Sequence, residues 1–191
     1  MKGDNVKKGV YPAIGMVEFN SIAVGIYTCD SMIKKAPVTV LSATPVCPGK
    51  YVVLLRGDEA SIGESIELGK SLAGEKLVDS FIIPNVHPGV IPAILGTADI
   101  KALMAVGVLE TFSVASAILA ADAAVKAAEI DLIEIMLARG LGGKSFVTLT
   151  GELPEVEAAI QAGVGIISGE GMLVSQVIIP SPHPDMEELI L

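Results

Sequence analysis

The chain has 191 residues and a net charge of −9, with 51% hydrophobic residues, 18% charged residues and no tryptophan. The acidic balance excludes a nucleic-acid binder, which needs a basic footprint to meet phosphates. So little charge sends the apolar surface either into a membrane or into subunit contacts, and two cysteines, Cys29 and Cys47, are too few for a disulfide framework and fit a reducing cytosol.

Met1 to Tyr11 is polar and basic with no apolar stretch behind it, which predicts an N-terminal arm (residues 1–12) and no signal peptide. Ala13 to Phe19 is a short apolar run suited to a strand, and Asn20-Ser21 is a helix cap. Ile22 to Lys35 sets Ile22, Ile26, Met32 and Ile33 at helical spacing, and Pro37 follows the helix. Val38 to Val46 is β-branched and strand-like, Cys47-Pro-Gly-Lys50 is a turn, and Tyr51 to Arg56 pairs back as a hairpin. Asp58 opens a helix running to about Leu72, and Leu77 to Ile83 is a last strand, ended by Pro84.

The chain then repeats itself. Ile14-Gly-Met-Val-Glu18 returns as Val106-Gly-Val-Leu-Glu110, Asp30-Ser-Met-Ile-Lys34 as Asp122-Ala-Ala-Val-Lys126, and Gly49-Lys50 as Gly143-Lys144. Pro84-Asn-Val-His87 returns as Pro180-Ser-Pro-His183, and the register moves only from 92 to 94 to 96 residues along the chain. A repeat this long means two copies of one small domain. Each reads β-α-β-β-α-β, an α+β ferredoxin-like arrangement. The expected boundaries are 13–88 and 104–191, with 89–103 as linker inside a stretch rich in proline and glycine.

The one candidate membrane span, Val106 to Val125, carries Glu110 and Asp122 and changes from strand-like to helix-like near Ser113. Burial in an oligomer is the better account of the apolar composition.

Ala138-Arg-Gly-Leu-Gly-Gly-Lys144-Ser145 imitates a phosphate-binding loop. It lacks the first glycine, and Phe146-Val-Thr-Leu-Thr150 alternates like a strand where that motif needs a helix. His87 and His183 occupy equivalent places, which suits a structural or interface role better than metal or proton transfer. Asp30 with Lys34 and Asp122 with Lys126 are i, i+4 ion pairs on helices. No Ser-His-Asp order or paired carboxylates gather in one loop, so the expectation is not an enzyme. Cys29 reads as a small buried thiol. Cys47 lies in a tight turn beside Lys50, which favours thiolate, and has no cysteine counterpart in the second copy. It is either an ordinary loop cysteine or one sulfur of three at a three-fold axis.

Taken together, the Ile-Gly-Met-Val-Glu opening, the Asp-x-Met-Ile-Lys helix end, the Pro-Gly-Lys turn and the Pro-x-x-His terminus resemble the bacterial microcompartment shell domain family. Two unpermuted copies resemble its tandem, trimer-forming members. Pro45-Val-Cys47-Pro-Gly-Lys50 with Gly140-Leu-Gly-Gly-Lys144 is most similar to the iron–sulfur-carrying propanediol-utilisation type. The resemblance implies a homotrimer forming a flat pseudohexamer, which tiles with other shell proteins in the bacterial cytoplasm. It implies a central pore lined by Pro48, Gly49, Lys50, Gly140, Leu141, Gly142, Gly143 and Lys144. There Cys47 of each subunit would hold the iron of a [4Fe-4S] cluster, one per trimer, serving electron or cluster transfer across the shell, in company with a lumenal redox enzyme. It places Lys34, Lys126, His87 and His183 at the tile edge. One departure stands out: the family's Pro-Arg-Pro-His edge motif reads Pro180-Ser-Pro-His183, without the arginine. Two other functions compete. One is a shell pore that conducts metabolites without a cluster, Lys50 and Lys144 drawing anions. The other is a cytosolic ligand-binding trimer on the same fold.

Overall fold

The structure is a computed structural model that describes residues 12–191, so the expected arm lies outside the described residues except for Pro12. The chain divides into two compact units. The first runs to Thr44 and resumes over Tyr51–Val86; the second comprises Pro45–Lys50 and His87–Leu191.

The first unit contains β1 (Ala13–Phe19), α1 (Ile22–Lys35), β2 (Thr39–Val46), β3 (Lys50–Gly57), α2 (Glu59–Ala73) and β4 (Leu77–Ile83), with the β2–β3 tip, residues 45–50, counted in the second unit. The sheet order is β2-β3-β1-β4, and β1 pairs antiparallel with both β3 and β4. This is the ferredoxin-like arrangement expected from the β-α-β-β-α-β reading. All seven residues of β1 are buried, as a central strand requires.

Local chemistry sets the helix starts. The Ser21 hydroxyl accepts the Val24 N–H at 3.4 Å, and the Asp58 carboxylate accepts the Ser61 N–H at 2.9 Å. The Ser61 hydroxyl also donates to Asp58, and these hydrogen bonds hold the Asp58 carboxyl below its ordinary pKa. The core gathers Val17, Phe19, Met32, Tyr51, Val53, Leu55, Ile62 and Ile66. Gly25 admits Tyr51 to the face of α1; a Cβ there would stand 2.5 Å from the tyrosine ring.

The apolar pattern that predicts α1 is not its core face. Met32 is fully buried, whereas Ile22, Ile26 and Ile33 are 41%, 54% and 41% exposed. The inward face is Gly25, Thr28, Cys29 and Met32. Burial, with the Asp30 carboxylate adding to it, raises the Cys29 thiol above its ordinary pKa.

In the second unit α3 (Val90–Leu95) lies within the expected linker. It is followed by β5 (Ala105–Thr111), α4 (Val114–Ala127), β6 (Ile130–Met136), β7 (Ser145–Gly151), α5 (Leu153–Ile167), β8 (Leu173–Ile179) and a final turn, α6 (Glu187–Ile190). The sheet order is β6-β7-β5-β8, the same topology as in the first unit. The candidate span Val106–Val125 is thus divided between β5 and α4. Among the described residues, no helix is long and apolar enough to cross a membrane. Ser145 begins a strand, so the Gly-rich loop before it lacks the helix a phosphate site needs.

Candidate functional site: two equivalent turns and an edge cluster

The Cys47–Lys50 turn belongs to the second unit, where it meets the loop after β6. The Cys47 N–H donates to the Ala138 carbonyl at 3.1 Å. Gly49, Gly140, Gly142 and Gly143 all have positive φ, at 82°, 72°, 63° and 95°. Glycine is required most strongly at Gly143. A Cβ there would approach the Cys47 carbonyl oxygen and Pro48 Cδ at 3.3 Å, in a backbone conformation that L side chains resist. The two turns that the repeat makes equivalent therefore lie side by side, with half-exposed Cys47 in one of them.

Lys144, expected as a pore cation, is paired within the chain. Its ammonium donates to the Glu110 carboxylate, so much of its charge is balanced locally. Glu110 was absent from the candidates read from sequence. The signal was there, since a carboxylate inside an apolar strand calls for a partner.

Among the described residues, no group of three or more His, Cys, Asp and Glu stands together as a metal site within one chain. Cys47 supplies one soft sulfur donor on a half-exposed turn. That donor suits a cluster iron, but a cluster held by several thiolates needs several copies of the chain.

The four residues expected at a tile edge, Lys34, Lys126, His87 and His183, do not form one site. Lys34 Nζ donates to Asp30 at 2.6 Å in the first copy, and Lys126 Nζ donates to Asp122 at 2.5 Å in the second. Asp122 is also the acceptor of the His87 backbone N–H, at 2.8 Å. The two imidazoles make the same local bond, each to a backbone amide two residues on. His87 Nδ1 accepts the Gly89 N–H at 3.2 Å, and His183 Nδ1 accepts the Asp185 N–H at 3.3 Å. The bond requires an unprotonated Nδ1. Burial pushes the His87 pKa below its ordinary value, Asp122 opposes the shift and Lys126 adds to it.

The comparisons with known proteins agree with this geometry. The BMC domain family matches residues 13–86 and again 105–182. The bacterial microcompartment shell protein PduT of Citrobacter freundii is 41% identical over 174 residues, covering 91% of this chain and 95% of that protein. The shell protein EutM of Escherichia coli is 36% identical over 85 residues, covering 44% of this chain and 86% of its own length, as expected of a single copy. The crystal structure of a microcompartment protein from Desulfitobacterium hafniense superposes with a TM-score of 0.89 at 50% identity, covering 94% of this chain and 99% of that one. The chain belongs to the BMC domain family, as a tandem-domain shell protein of a bacterial microcompartment.

Proposed function

We propose that three copies of this chain close into a pseudohexameric shell tile, and that Cys47 of each subunit binds iron of one [4Fe-4S] cluster in its central pore. The observation that carries the reading is the packing of the Cys47–Lys50 turn against the Gly140–Lys144 turn. A ring that gathers six equivalent turns around its axis must place them side by side, and these two are already so placed. Of the two equivalent turns only the first carries a thiol, Cys47, so a trimer presents three sulfurs there and leaves one iron without a protein cysteine. When bound, the cluster supplies one-electron chemistry, with a potential set by net charge and burial.

The residues around Cys47 serve that role. Gly143 lets the neighbouring turn approach without a side chain covering the sulfur's surroundings. Glu110 balances Lys144, which reduces the pull of that lysine on anions and weakens the metabolite-channel reading. Pro48, Gly49, Lys50, Gly140, Leu141 and Gly142 complete the pore lining. Lys34, Lys126, His87 and His183 are edge residues that pack against other shell proteins, and Ser181 in place of arginine weakens that contact or directs it to particular neighbours. A lumenal redox enzyme is the electron partner, and the tile itself catalyses no reaction.

The test is anaerobic purification followed by iron, sulfide and reduced electron paramagnetic resonance measurements, beside Cys47→Ser. Roughly one four-iron cluster per trimer, lost in the variant, is the expected result. No iron in either protein after reconstitution would leave a metabolite pore as the better account.

A further inference from the structure

We propose that β8 is a docking strand: an extended segment of another protein, with a basic residue between apolar ones, adds to its free edge in the groove between β8 and α5. This contact depends on neither the trimer nor the cluster.

The groove follows from where α5 sits. Two glycines let the helix settle onto β5, the neighbour of β8. A Cβ on Gly107 would stand 3.0 Å from Ile160 and from Val156, and one on Gly163 would stand 2.8 Å from Leu109. Gln176 and Ile178 of β8 are the register partners of Leu109 and Gly107, so they lie on the same face of the sheet. Beside the helix a groove of about 420 Å³ is walled by Glu157, Ile160 and Gln161 of α5 and by Gln176, Val177 and Ile178 of β8. β8 is the last strand of its sheet and pairs with β5 alone. Its outer side therefore offers backbone N–H and C=O groups to a further strand.

The first copy shows the same edge guarded. There β4 carries Asp79, whose carboxylate accepts the N–H of Ser80 at 2.7 Å. Beside it α2 carries an ion pair between Glu67 and Lys70 at 2.6 Å. A charged residue on an edge strand that occupies one of its own amides withholds the edge from other chains. In the second copy both devices are gone. By the repeat, Ser175 and Gln176 stand for Asp79 and Ser80, and Gln161 and Val164 for Glu67 and Lys70. Leu173–Ile179 holds no charged residue and no proline, and Ser175, Gln176 and Val177 are all exposed. One frame with a guarded edge and an open one leaves the open edge for a partner.

Charge decides the occupant. From Ser145 to Leu191 the sequence holds no lysine or arginine, while Glu152, Glu155 and Glu157 stand at the start of α5. A second copy pairing through its own β8 would set two such acidic rims together with no cation to balance them. A basic segment fits instead. Its backbone bonds to β8, its apolar side chains seat on Ile160 and Ile178, and its lysine or arginine meets Glu157.

The test titrates the full chain with the blocked peptide Thr-Val-Thr-Lys-Thr-Val-Thr, and with the same peptide carrying glutamate for lysine. Calorimetry reads affinity and amide hydrogen exchange reads the place. The lysine peptide should bind and slow exchange in β8, with the glutamate peptide at least about tenfold weaker. Glu157→Lys should reverse that preference. Ser175→Asp, which restores the first copy's guard, should weaken the lysine peptide about tenfold. Simple attraction of a cation would do the opposite, because that variant adds negative charge. The first copy already carries Asp79 opposite Glu18, so the fold accepts aspartate at this place. Unchanged β8 exchange at about millimolar peptide, or tighter binding to Ser175→Asp, would overturn the proposal. So would β8 exchange that slows with protein concentration in the absence of peptide, since the occupant would then be a second copy.

Discussion

Truncating Asp122 to alanine isolates the contact that ties the segment after β4 to α4. The carboxylate is 9% exposed and accepts the His87 N–H at 2.8 Å and Lys126 Nζ at 2.5 Å. A hydrogen bond to a charged group contributes about 1.5–3 kcal/mol. The lysine is still 41% exposed, so the ion pair adds only about 0.2–1 kcal/mol. The sum, about 2–4 kcal/mol, corresponds to a fall of roughly 4–16 °C in Tm for a chain of this size. Asp30→Ala removes the equivalent, 61% exposed carboxylate and should cost the isolated chain less than about 0.5 kcal/mol. Urea unfolding of the dilute protein measures both, and amide hydrogen exchange at His87 reports the lost acceptor directly. Equal costs for the two truncations, with His87 exchange unchanged, would refute the role given to Asp122.

Gly143→Ala should destabilise the second unit by about 1–3 kcal/mol, because it adds the 3.3 Å contacts with Cys47 and Pro48 to a positive φ. Gly49→Ala, with nothing within 4 Å of the new Cβ, should carry only the left-handed cost of about 1–2 kcal/mol; urea midpoints in the reverse order would contradict the packing described. The His87 pKa lies below its ordinary 6.5, so its contribution to stability is complete above that pH and is lost as pH falls toward the folded value. His87→Asn, which keeps an acceptor but does not titrate, should flatten the dependence; an unchanged slope from pH 7 downward would assign it to other groups. In the iron-free protein a thiol reagent should modify half-exposed Cys47 rapidly and buried, pKa-raised Cys29 only on unfolding. Two fast-reacting thiols per native chain would speak against this burial.

The elements were legible because their signals are local. The bounds of β1, α1 and β4 match the runs Ala13–Phe19, Ile22–Lys35 and Leu77–Ile83 read from the chain, since hydrophobic period, the Ser21 and Asp58 caps and the turn residues all act within a few positions. The repeat by itself determined that two domains of one topology follow each other, and with the motifs it carries, the family. Cys47 and Lys144 could be singled out because a residue that breaks a repeat, or completes a motif, is visible without coordinates.

Which face of each element is covered was decided only by the tertiary structure. Ile26 and Ile118 have the same chemistry and the same place in the repeat, yet one is 54% exposed and the other fully buried. Asp30 and Asp122 differ in the same way. Nothing local separates the members of these pairs. Burial depends on what the chain brings back from a distance: Asp122 of α4 accepts the N–H of His87, 35 residues earlier. The partnership of Glu110 with Lys144, 34 residues apart, has the same origin. Helical and strand periods record which residues share a face; the folded chain decides whether that face is covered.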